Sequence, residues 1–306
     1  MRRCKLYILL LWLLMICSQR LYAVNLAGAM ADIQQLSDAR MAGRKTGSDG
    51  AALAAEYISQ RFHELGLTPF TQGYLQSFRY GSFDKTGINV VAHLRGCQYA
   101  QSYIVITAHY DHLGLEGRKI FHGADDNASG VAALLALATR LTEQCPAYSY
   151  IFLATDAEES GLYGSKAFVA APTVPLNSIV LNLNLDMVSH ADRRGRLYLT
   201  GAKRYPALIA KLNATYDKIR FLSHSGPGKF GRDHRHYDWP NASDHGPFYR
   251  AGIPYLFFGG QDHAQYHTEE DQWQRIDTEF LNMALQAIWT TVLWLEQQEP
   301  ATLAVQ

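Results

Sequence analysis

Four short apolar runs rich in β-branched residues, at 88–93, 103–107, 150–155 and 179–185, constrain this chain most. Each is brief enough to be a strand buried on both faces and too brief for a buried helix. Segments 129–142 and 161–170 fall between them and read as helices. An earlier helix at 51–65 places Ala54, Ile58, Phe62 and Leu65 on one face and ends at Gly66. Strand alternating with helix is the pattern of an α/β sheet covered on both sides. After Asp186 the pattern loosens into a strand at 196–200, a helix at 206–216, a strand at 253–258 and a C-terminal helix at 278–295. The glycine- and histidine-rich stretch between them reads as a loop over the site, at 223–243. Its His224, His234 and His236 are expected to be exposed loop residues rather than ligands.

The first 23 residues stand apart. Arg2, Arg3 and Lys5 precede an apolar run of eleven residues, 6–16, followed by Ser18, Gln19, Arg20 and the small Ala23. That is the pattern of a secretory signal peptide, since a bilayer span needs about 20 apolar residues. The reading is a signal at 1–23, cleaved near Ala23, and one catalytic domain at 24–306. The protein is then exported, periplasmic or secreted, with no stable membrane insertion after cleavage. Removing 1–23 leaves 24 basic against 28 acidic residues, a balance that gives no reason to expect nucleic-acid binding. Oligomeric state is not legible.

Cys97 and Cys145 remain after cleavage, each just before an expected strand. An exported chain can pair them, and parallel neighbouring strands would place both at one sheet edge, away from any strand-end site. A disulfide is expected; two inert buried thiols are the alternative.

Five segments carry imidazoles and carboxylates at strand or helix ends: 108–112, 123–130, 156–159, 184–187 and 266–271. His109, Glu158 and Glu159, and Asp186 follow or end strands, where sites form in open α/β sheets. Asp126 lies at a helix N-terminus, which favours a carboxylate. Histidine and carboxylate without thiolate suit a catalytic zinc that keeps a water. Singly, each segment reads as polar surface or, for Asp125-Asp126-Asn127, as a helix cap; their joint occurrence reads as a metal site.

The strings His109-Tyr110-Asp111, Gly123 to Gly130, Glu158-Glu159-Ser160-Gly161, Leu185-Asp186-Met187, Ser243-Asp244-His245 and Tyr266-His267-Thr268 together resemble the di-zinc aminopeptidases. These are secreted bacterial leucyl aminopeptidase-like zinc peptidases, related to glutamate carboxypeptidases and glutaminyl cyclases. The resemblance spans about residues 45–295. It implies a three-layer α/β/α sandwich with a central mixed, mostly parallel sheet, of the phosphorylase/hydrolase-like zinc peptidase architecture. It implies two Zn²⁺ ions bridged by Asp126, with His109 and Asp186 on one and Glu159 and His267 on the other. The implied reaction removes the N-terminal residue of a peptide by a metal-bridged hydroxide, with Glu158 as general base and Tyr266 donating to the oxyanion. Asp111 is expected to orient His109 from outside the ligand set. Glutaminyl cyclase activity is the alternative, then carboxypeptidase or dipeptidase activity, then a non-catalytic binding protein on the same scaffold. Loops 187–195 and 223–243 are expected to build the specificity pocket; Tyr237, Trp239, Phe248 and Tyr249 suit an apolar pocket or, equally, the core.

Overall fold

The computed structural model describes residues 24–222, 225–226 and 237–304; the signal-peptide reading and His224, His234 and His236 lie outside the described residues. The principal helices are α1 (Leu26–Leu36), α2 (Asp49–Glu64), α3 (Gly130–Thr142), α4 (Tyr163–Ala170), α5 (Pro206–Asn213), α6 (His245–Arg250) and α7 (Thr278–Leu295). The main sheet comprises β1 (Leu75–Tyr80), β2 (Lys85–Leu94), β3 (Tyr99–His109), β4 (Tyr148–Thr155), β5 (Ile179–Asp186), β6 (Leu197–Thr200), β7 (Ile219–Leu222) and β8 (Tyr255–Gly259).

Their spatial order is β1-β2-β4-β3-β5-β8-β6-β7. The central four, β4, β3, β5 and β8, run parallel; β1 pairs antiparallel with β2, β2 with β4 and β6 with β8, and β7 pairs parallel with β6. Alternation along the strands builds the layers. On β3, Ile104 and Ile106 face the larger core with Leu134 of α3 and Leu285 and Ile288 of α7. Val105 faces the opposite core, with Ile151 and Leu153 of β4, Phe168 of α4 and Phe248 of α6. Helices therefore cover both faces, in the three-layer α/β arrangement the sequence implies.

Strand β3 lies between β4 and β5, so the chain leaves β3 in one direction and returns past it to reach β5. That reversal is a topological switch point, and it opens a crevice at the carboxyl ends of the strands. His109 opposes Thr155, and Asp186 opposes Gly259, so four strand ends converge there.

At the other end of the strands, Cys97 and Cys145 form a disulfide with Cα atoms 5.8 Å apart. Tyr99 pairs with Tyr148 just inside it. Among the described residues, no helix is long and apolar enough to cross a membrane. A bridge closing 48 residues should contribute about 4 kcal/mol by chain entropy. The Cys97→Ser/Cys145→Ser double variant should therefore lose 2 to 4 kcal/mol in urea unfolding, yet keep its zinc content. Loss of zinc with the bridge would contradict the separation of the two ends.

Candidate metal centre

The segment before α3 carries the central carboxylate. Asp126 and Asn127 depart from helical geometry, at φ −104°, ψ 92° and φ −132°, ψ 43°, and are joined by a cis peptide. Three adjacent side chains divide the work. Asp125 accepts from Ser189 N (2.9 Å) and Ser189 Oγ (2.6 Å), and faces His263 Nε2 at 3.1 Å. Asn127 donates to Leu185 O (3.0 Å) and accepts from Met187 N (3.1 Å) and Gly130 N (2.9 Å). Asp271 accepts the backbone N–H groups of Asp125 (2.9 Å) and Asp126 (3.0 Å) from the far side. Asp126 itself is left to face the crevice.

The other side chains arrive from turns held as firmly. Asp156 accepts from Ile88 N (2.9 Å), Thr46 Oγ1 (2.7 Å) and Ala157 N (2.8 Å). Ala157, Met187 and His267 adopt left-handed φ of 56°, 56° and 55°, where the chain bends at each ligand-bearing segment. Non-glycine residues there store strain that surrounding contacts must hold. Because β4 has ended, Glu158 and Glu159 need not point to opposite faces.

Asp126 turns its two oxygens toward different groups. Oδ1 lies 3.4 Å from His109 Nε2, which is 3.3 Å from Asp186 Oδ1. Oδ2 lies 3.1 Å from His267 Nε2, which is 3.4 Å from Glu159 Oε1. His112, Asp126, Glu159 and His267 offer donor atoms all within 4.8 Å of one another, as do His109, Glu158 and Asp186. Tetrahedral zinc with 2.0 to 2.2 Å bonds needs donor separations of about 3.3 to 3.6 Å. Asp126 Oδ2 and His267 Nε2 are both buried, close, and without a hydrogen-bond partner. Buried polar atoms are normally paired, so two that face each other unpaired fit a cation between them. The residues present fit zinc.

Charge supports that fit. Burial lowers the imidazole of His267, but Asp126 and Glu159 outweigh it and raise the pKa to about 10. His109 is likewise held well above its usual value, despite burial, by Asp186, Glu158 and Asp126. Burial pushes the Glu158 carboxyl up; His109 opposes this, and the neighbouring carboxylates of Asp186, Glu159 and Asp244 add to it. Protons on these groups occupy positions that a divalent ion would take, and metal binding would release them.

Beside these groups lies a crevice walled by Met187, Trp239, Ala242, Phe257, Asp262 and Tyr266. Tyr266 stacks on His267, with ring centroids 3.8 Å apart. Of the other aromatics open to pocket or core, Phe248 packs against Phe168 in the core. Tyr249 is partly exposed and meets Tyr255 edge-on. The α6 helix turns those two side chains away from the crevice. Asp111 differs in detail from the expectation. Its carbonyl makes the closer contact to His109 Nδ1, at 3.1 Å; carboxylate Oδ1 stands 3.8 Å from that nitrogen and accepts from Glu158 N at 3.0 Å.

Several contributors carry no role in the sequence reading. Arg44 is fully buried and donates to the carbonyls of Tyr110 (2.7 Å), Leu36 (2.7 Å), His122 (2.7 Å) and Gly123 (2.8 Å). Burial lowers its pKa to about 10, against the pull of Asp271, Asp126, Asp111 and Glu159. His112, Asp271 and the Asp125–His263 pair are the others. The only sequence signal for His112 is its place three residues after His109.

With this geometry in view, relatives define the class. Residues 89–292 match the family model of peptidase family M28, and the chain belongs to that family of zinc peptidases. It is 30% identical over 201 residues to the alkaline phosphatase isozyme conversion protein of Escherichia coli (strain K12), covering 60% of this chain and 56% of that one. It is 32% identical over 190 residues to aminopeptidase YwaD of Bacillus subtilis (strain 168), covering 59% and 38%. The matches thus span about half or less of those relatives' lengths. Among solved structures, the fold is similar to BSAP, a zinc aminopeptidase from Bacillus subtilis, with TM-score 0.71 and 18% identity over 91% of this chain and 98% of that one. It is similar also to a glutaminyl cyclase from Bacteroides thetaiotaomicron, with TM-score 0.68 and 17% identity over 90% and 99%.

Beneath the crevice, His245 is buried, with Nε2 2.7 Å from Trp239 O and Nδ1 3.4 Å from Asn184 Nδ2. Burial is the main cause that lowers its pKa from 6.5 to about 4. The unfolded chain therefore takes up this proton first as pH falls. Its stabilising effect is intact above about pH 6.5 and is lost toward pH 4. Between pH 7 and 4.5 in chelator, the parent should lose about 2 to 3 kcal/mol more than His245→Gln in urea unfolding. Equal losses would mean that His245 is not held neutral.

Proposed function

We propose that residues 24–306 form a two-zinc aminopeptidase that acts on peptides outside the cytoplasm. The observation that carries this is Asp126, whose two carboxylate oxygens each face a separate imidazole–carboxylate pair. His109 and Asp186 would hold one ion, Glu159 and His267 the other, with Asp126 shared. When bound, such a pair lowers the pKa of water and polarises a carbonyl.

The chain's own residues supply the rest. Glu158 lines the crevice beside His109, Asp126 and Asp186, and burial holds its carboxyl well above the usual carboxylate range. It takes the proton of the attacking water and returns it to the departing amine nitrogen. Tyr266, also in the crevice wall, donates its hydroxyl to the oxygen that gains charge. Asp186 and Glu158 place negative charge where a substrate's free α-amine would lie. Met187, Trp239 and Phe257 give its first side chain an apolar wall. The cyclase reading keeps a claim through fold similarity. A full set of five donors for two ions favours hydrolysis.

Peptides beginning with Leu, Lys and Gln, incubated with zinc-loaded protein and followed by mass spectrometry, separate the readings. Release of the free N-terminal amino acid is expected. Loss of ammonia from the Gln peptide without cleavage would instead establish the cyclase.

The division of roles has its own test. Glu158→Ala should keep its zinc and lose about 10²- to 10⁴-fold in kcat. Asp126→Ala should lose zinc as well. Equal zinc loss in both variants would refute it.

A further inference from the structure

We propose that His112 is a fourth protein ligand at the Asp126–Glu159–His267 position, so that the two zinc positions differ: one closed by four protein donors, one open. This deepens the two-zinc reading and rests on it.

The ring of His112 is fully buried, and Nδ1 lies 2.9 Å from Glu159 Oε1 and 3.6 Å from Asp126 Oδ2. Those are the same two oxygens that face His267 Nε2, at 3.4 and 3.1 Å. Two imidazole nitrogens and two carboxylate oxygens thus face one another at separations averaging about the edge of a zinc tetrahedron. The two rings lie edge to face, with centroids 5.7 Å apart, so that they approach the shared oxygens from different directions.

The ring is not free to turn elsewhere. Its backbone N–H donates to Arg44 O at 3.3 Å. Gly123, at φ +58°, packs so close that a Cβ there would meet His112 Cγ and Cδ2 at 2.6 Å. With His112 the position has four protein donors, two imidazoles and two carboxylates, whereas without it the fourth place would need an outside donor.

The other position is different. His109, Asp126 and Asp186 supply three protein donors, and Glu158 stands beside them. His109, Asp186 and Glu158 line the crevice together with Asp126 and Glu159, while the two imidazoles of the second position, His112 and His267, do not. Four protein ligands characterise closed, structural zinc; three with an open place characterise catalytic zinc. The exchangeable position accordingly has all its donors on the crevice, and the four-donor one is backed by two imidazoles that lie off it.

A competing role is simpler: Nδ1–H donates to Glu159 as an outer partner. Nε2 is buried and without a partner in either case, so hydrogen bonding does not separate the two roles. His112→Asn does, because an amide nitrogen can replace the Nδ1 donor but is a poor zinc ligand.

The chelator-stripped full chain, titrated with Zn²⁺ against a chromophoric competitor, should bind one ion far more tightly than the other. In His112→Asn the tight step should weaken by more than about 100-fold, beyond the 10- to 100-fold cost of losing an outer partner. X-ray absorption at the zinc edge should count three imidazoles over two ions in the parent and two in the variant. His112→Gln provides the same comparison if the first variant does not fold. An unchanged tight step and imidazole count would overturn the proposal and leave His112 a hydrogen-bonding neighbour of Glu159. A parent that takes up only one ion would instead defeat the two-zinc reading, and two imidazoles on that ion would still support His112 as a ligand.

Discussion

Buried negative charge is the constraint around which this structure is organised. Asp111, Asp125, Asp126, Asp156, Asp244 and Asp271 are all nearly inaccessible, and Glu158, Glu159 and Asp186 stand at the edge of the same crevice. The fixed cation among them is Arg44, and it spends its donors on four backbone carbonyls rather than on a carboxylate. Removing isolated charges from water costs several kcal/mol each unless they are paired. Backbone N–H groups neutralise part of this load, at Asp111, Asp125, Asp156 and Asp271. The remainder falls on Asp126 and its immediate neighbours, where, among the described residues, the imidazoles of His109 and His267 lie 3.1 to 3.4 Å from the carboxylates and Arg44 acts from further off.

The fold makes that concentration of charge tolerable by dividing its parts. Carboxylates that accept several N–H groups act as struts: Asp156 joins β2 to the turn after β4, and Asp271 clamps the segment before α3. Asn127 joins that segment to the end of β5. Hydrogen-bonded neighbours on both sides hold Asp126 with its oxygens aimed apart. Preorganisation of this kind is what a catalytic metal site requires, since small displacements cost much of its activity.

Much of this was legible in the sequence. The short apolar runs at 103–107 and 150–155 marked β3 and β4, and the strand-end residues His109 and Asp186 marked the crevice. The run at 179–185 concealed a finer pattern. Leu181, Leu183 and Leu185 enter the larger core, but Asn182 and Asn184 face the other way and bond to Thr107 and Ser243. That polar row beneath Asp186 arises from cross-strand register, which a single run does not reveal. Asp111 was placed near His109, yet its carboxylate reaches the Glu158–Glu159 turn, because the left-handed Ala157 brings that backbone within range. His112 is illegible for a similar reason: Gly123, eleven residues later in the chain, gives its ring room beside Glu159. For Phe248 and Tyr249 the sequence leaves pocket and core open, because the direction of a six-residue helix is fixed by the layer it packs on; Phe248 takes the core.

The central claim is that Asp126 is shared by two cations. Crystals of zinc-loaded protein measured at the zinc absorption edge test it directly. The account predicts two anomalous peaks, one beside each Asp126 oxygen and about 3.5 to 4 Å apart. A single peak there, or peaks remote from Asp126, would contradict it.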